Sequence, residues 1–89
     1  MRQGVLAGGA GDQAHHAVSK GNEVAQSDAV KNAKEDAKKQ LDERGAPTHV
    51  YAYTEDMGGK SMSIEVWIWC DKKKANVYYL GKDNGEVTW

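Results

Sequence analysis

The chain has 89 residues, 12 Lys and Arg against 13 Asp and Glu, one proline and one cysteine. So short a chain holds one domain with a limited core, and its balanced charge lacks the cationic field of a protein that grips many phosphates or a membrane surface. A lone cysteine excludes an internal disulfide, and a bridge-free domain of this size is expected in a reducing cytoplasm.

From Met1 to Gly21 the chain is rich in glycine and alanine and poor in bulky apolar residues. Residues 1–21 are expected to form a flexible arm, with a short strand at Gly4–Ala7. Val5-Leu6-Ala7 is too brief for the apolar region of a signal peptide, and no run reaches membrane-spanning length. Gly9-Ala-Gly11-Asp-Gln-Ala14 matches the glycine fingerprint of a dinucleotide site in form only, because no complete strand precedes it and the chain cannot hold the two-half fold that uses it.

One helix is expected over about residues 23–44. Asn22 or Ser27 can cap its start, and Glu23 or Asp28 suits the first turn. Gly45 follows the last turn and Pro47 forbids continuation. Ala29, Ala33, Ala37 and Leu41 recur every fourth residue and, with Val30, form a narrow apolar stripe. An alanine stripe lets the helix backbone approach a sheet closely, so the large side chains filling the interface must come from the strands. The other positions carry lysines and carboxylates of interspersed sign, the pattern of a solvated face.

Beyond Pro47 the period becomes two. Thr48–Thr54 reads as a strand, Glu55–Lys60 as a glycine-containing turn, and Ser61–Cys70 as the strongest strand of the chain. Gly58-Gly59-Lys60-Ser61 resembles the tail of a phosphate-binding loop, but it opens onto a strand rather than the helix such a loop requires. Asp71–Lys74 is a charged turn, Ala75–Leu80 a third strand, Asn84-Gly85 a turn signal and Glu86–Trp89 a short edge strand. The expected fold is therefore α+β: one amphipathic helix on one face of a three- or four-stranded antiparallel meander, with residues 22–89 as a single domain.

Matching aliphatic faces places Val50, Ala52, Met62, Ile64, Val66, Ile68 and Val77 against the helix, with Cys70 on the same side. The opposite face then gathers Tyr51, Tyr53, Trp67, Trp69 and Tyr78. Such a surface is either a second core covered by the N-terminal arm or an interface, and the interface is the favoured reading. These five residues are the expected contact with a second copy or a protein partner in a non-enzymatic interaction module, with no cofactor, catalytic residue or metal assigned. Two alternatives come from other classes. One is base stacking of single-stranded nucleic acid on the aromatic face, helped by Lys60, Lys72, Lys73 and Lys74. The other is a metal-dependent hydrolase using His15, His16 and His49, although adjacent histidines point in different directions on most backbones.

Overall fold

The computed structural model describes residues 9–89, so the short strand expected at Gly4–Ala7 lies outside it. In chain order the elements are α1 (Gly9–Lys20), β1 (Asn22–Val24), α2 (Gln26–Lys31), α3 (Glu35–Arg44), β2 (His49–Met57), β3 (Lys60–Trp69), β4 (Lys74–Tyr79) and β5 (Lys82–Thr88). The five strands form one antiparallel sheet in the order β1-β2-β3-β4-β5. The α+β class, the antiparallel meander and its packing against helix are as the sequence implies.

Strand register is set at the hairpin turns. Met57 pairs with Lys60 across Gly58 and Gly59, which take φ of 60° and 87°. Positive φ at both central residues is the geometry of the two-residue turn that suits the twist of a hairpin. That turn places Val50 opposite Trp67, Tyr51 opposite Val66 and Tyr53 opposite Ile64. Residues directly opposite one another share a face, so Val50 joins the tryptophans while Tyr51 and Tyr53 join the aliphatic residues. The expected grouping of all five aromatics on one face is thereby corrected: a one-residue shift of register moves a whole strand's side chains to the other side.

The helix also differs from expectation. Residues 22–24 are an edge strand, and the remainder is two helices interrupted at Asn32-Ala33-Lys34. No proline or glycine marks this break. Its cause is tertiary: the amide of Ala37 donates to the carbonyl of Gly81 in the β4–β5 turn, at 3.0 Å. Gly81 has φ of 91°, and a Cβ there would lie 2.6 Å from the carbonyl oxygen of Lys34, so only glycine permits the approach.

The alanine stripe nevertheless faces the sheet. Ala29 and Ala37 are buried, with Ala33 and Leu41 partly so, against Val50, Trp67, Trp69 and Tyr78. The Trp67 ring lies 6.0 Å from Trp69 and 5.6 Å from Tyr78, centroid to centroid. Both indole N–H groups are satisfied, Trp67 donating to Glu65 at 2.9 Å and Trp69 to the carbonyl of Gly45 at 3.1 Å. Buried indoles of this kind combine large apolar area with one polar atom that needs a partner.

Residues 9–20, expected within the flexible arm, form α1. Ala10, Ala14 and Ala17 pack on Ile64, Val66, Ala75 and Val77, and Tyr51, Tyr53, Ile68, Tyr79 and Val87 complete this second cluster. Gly21 turns the chain from α1 into β1 through a gap in which a Cβ would meet the carbonyls of Ala17 and Ala52, at 2.6 and 2.7 Å. The sheet is thus covered on both faces.

Two further expectations change. Asn84-Gly85 lies inside β5 at a register shift rather than forming a turn, because Leu80-Gly81 already closes the hairpin between Tyr79 and Lys82. Cys70 is exposed at the start of a short 3-10 turn, Cys70–Lys72, since β3 ends at Trp69.

Arg44 ties the last turn of α3 to the sheet. Its guanidinium lies 4.8 Å from the centroid of the Trp69 ring and donates to Asn76 at 2.7 Å and Glu86 at 2.5 Å. The Arg44 hydrogen bond holds the Glu86 carboxyl below its usual range. A carboxylate whose folded pKa is depressed contributes stability above its unfolded pKa and loses it as pH falls through the folded value. Glu86→Gln is therefore expected to reduce the acid-induced loss of stability as pH falls below the usual glutamate range, measured by urea unfolding across that range. For α1, Ala17→Leu is expected to cost about 1–3 kcal/mol by overpacking a fully buried site. A segment not packed on the sheet would show no such loss in the same measurement.

Candidate functional site

A 12-residue helix is about 18 Å long and, with side chains, about 10 Å across. The strand beneath it, β3, has 10 residues and is about 33 Å long. α1 crosses the strands from β5, where Ala10 approaches Gly85, to the β1–β2 edge at Gly21 and Ala52. One short crossing helix cannot cover strands of that length, and a cleft remains along each of its flanks.

The cleft toward the β2–β3 turn has a volume of about 340 Å³ and is lined by Asp12, Gln13, His16, Tyr53, Thr54 and Glu55. α1 supplies the first three at helical spacing, and β2 supplies the rest. The His16 ring stands 4.6 Å from the Tyr53 ring, centroid to centroid, and makes an aromatic wall. Gln13, buried under the helix, donates to the Tyr79 hydroxyl at 2.5 Å and accepts from Asn84 at 2.9 Å, fixing α1 to β4 and β5. Among the described residues, neither Asp12 nor Glu55 has a cationic partner within salt-bridge distance. Burial, then the charge of Glu55, pushes the Tyr53 phenol up to about 12. Its hydroxyl lies 3.4 Å from the Glu55 carboxylate.

The opposite cleft, about 280 Å³, is lined by Gly11, Ala14, His15, Val18, Ile68, Ala75, Val87 and Trp89. Its walls are mostly apolar. Val18 is 49 % and Trp89 56 % exposed, two of the large hydrophobic residues left at the surface.

The residues singled out from sequence are therefore divided. Trp67, Trp69 and Tyr78 are enclosed between the sheet and α2–α3, at 0–1 % exposure. Tyr51 and Tyr53 are half-buried on the other face, and Tyr53 lines the cleft toward the β2–β3 turn. The histidines separate as well: His15 faces the apolar cleft, His16 packs tilted against the Tyr53 ring, and His49 bonds the Glu23 carboxylate at 3.1 Å. Among the described residues no three His, Cys, Asp or Glu side chains gather in a way that could hold a metal ion, and no helix is long and apolar enough to cross a membrane.

Sequence reasoning missed Asp12, Gln13, Val18 and Trp89. The signal for the first three was present, since Ala10, Gln13, Ala14 and Ala17 follow helical spacing; the abundance of glycine obscured it. No protein-family model, curated protein or solved structure matches the chain.

Tyr53 supplies a pH test. A phenol whose folded pKa is raised stabilises the fold below the unfolded value of 10.0 and loses that contribution as pH rises toward about 12. Tyr53→Phe is expected to remove a late-titrating phenol from the 295 nm absorbance titration and to lessen the fall in stability between those pH values.

Proposed function

We propose that the protein is a small non-enzymatic interaction module that self-associates through the apolar flank of α1. The observation that carries this reading is the exposure of Val18 and Trp89 beside a cleft whose other walls include Ile68, Ala75 and Val87. A two-fold interface uses the same patch on both subunits, so it needs a projecting group and a receiving surface side by side. Trp89 and the cleft together meet that requirement. A net charge of −1 offers little long-range repulsion between copies.

The Trp67, Trp69 and Tyr78 cluster serves this module as core rather than contact. Its burial also removes the platform on which bases of a single strand would stack. The reading of an interaction module thus rests on a different surface from the one the strand pattern suggests. Its surface is mostly aliphatic, with Trp89 supplying the large aromatic group of a kind enriched in interface cores.

The test is solution mass by sedimentation equilibrium. Wild-type protein is expected to show a concentration-dependent dimer, weakened at least about tenfold by Trp89→Ala and also by Val18→Ser, with far-ultraviolet circular dichroism unchanged. A wild-type monomer at high micromolar concentration sinks the reading. So does a dimer indifferent to both substitutions.

A further inference from the structure

β2 has nine residues, but β1 pairs with only Val50, Tyr51 and Ala52. β3 occupies the other edge of β2 from His49 to Met57. Beyond Ala52 the outer edge of β2 therefore has no strand beside it among the described residues. The Ala52 carbonyl oxygen approaches Gly21 and so faces the β1 side. Backbone direction alternates along a strand, which turns the N–H and C=O groups of Thr54 and Asp56 toward the same open edge. An unpaired edge of this kind is a template for an added strand.

The cleft between α1 and β2 lies directly beside that edge, and its chemistry is specific. Tyr53 and His16 offer aromatic rings, while Asp12 and Glu55 offer carboxylates without a cationic partner among the described residues. A guanidinium satisfies both demands, because it stacks on aromatic rings and donates in a planar fork to carboxylates. A residue of an added strand placed opposite Glu55 would project its side chain onto the same face as Glu55, into the cleft. Asp56 adds a further negative charge along the edge.

We infer that the open edge of β2 and the adjoining cleft form a docking site for an extended, arginine-bearing peptide, bound by strand addition with its guanidinium between Asp12 and Glu55 against Tyr53 and His16. The backbone of the edge supplies affinity, and the cleft selects the side chain. This site lies on the opposite flank of α1 from Val18 and Trp89, so it stands independently of self-association.

The test uses the peptide fluorescein-β-alanyl-Thr-Val-Arg-Val-Thr-amide, followed by anisotropy with the full chain. Saturable binding is expected, weakened by added salt. Replacing arginine by neutral citrulline is expected to weaken it about tenfold, as are Asp12→Asn and Glu55→Gln. Methylating the backbone nitrogens of the two valines, which removes the donors an added strand offers on one edge, is expected to abolish it. Trp89→Ala is expected to leave it unchanged, which separates this site from the dimer surface. No binding at millimolar protein, equal affinity for the arginine and citrulline peptides, or indifference to both carboxylate substitutions overturns the proposal. Loss of dimerisation in the Asp12→Asn, Glu55→Gln double variant assigns the cleft to a second copy and overturns it likewise.

Discussion

The two-residue turn at Gly58–Gly59 is the constraint from which the rest of the molecule follows. By pairing Met57 with Lys60 it puts Val50 opposite Trp67 and Tyr51 opposite Val66, and so decides what each face of the sheet presents. One face becomes Val50, Trp67, Trp69 and Tyr78; the other becomes Tyr51, Tyr53, Ile64, Val66 and Val77. Both are apolar enough to require a cover. A single helix could serve only one of them, and α1 takes the second.

The two covers differ in kind. α2 and α3 bring alanines to the indoles, and the bulk of that interface comes from the sheet. Arg44 secures the arrangement by reaching over Trp69 to Asn76 and Glu86, joining a helix end, an indole face and two strands with one side chain. A guanidinium can do this because its planar fork stacks and donates at once, which a lysine ammonium cannot. On the other face α1 also contributes alanines, but it is a single helix crossing wide strands. The cover it provides is adequate for Ile64, Val66 and Val77 beneath it and incomplete on either side.

That incompleteness is where the surface acquires chemical character. The flank toward Ile68 and Trp89 is apolar, and the flank toward Tyr53 is aromatic and acidic, so the two differ in chemistry. The edge of β2 adds backbone groups to the second flank alone. The limited length of α1 leaves these features exposed on one face, while α2 and α3 bury Trp67 and Trp69 on the other.

Much of the architecture was legible in the chain itself. Period-two patterning located β2, β3 and β4, the recurrence from Ala29 to Leu41 identified a helix face that meets the sheet, and Gly45 with Pro47 marked its end. The clefts were less legible, because a cleft depends on where a covering helix crosses, which no local pattern encodes. Matching aliphatic residues across strands assigned Tyr51 and Tyr53 to the wrong face. The register lies instead in the Gly58–Gly59 pair, because a two-residue turn fixes which residues of the two strands stand opposite.

What the sequence by itself determined is the set of elements and their amphipathic faces, since these arise from residue spacing and local backbone preference. Only the tertiary structure decided the break between α2 and α3, where Gly81 draws the amide of Ala37 to itself, and the docking of a glycine-rich segment as α1. It also decided the enclosure of Trp67 and Trp69 and the open edge of β2. Each of these depends on groups far apart in the chain meeting at close range, and short-range spacing carries no record of such meetings.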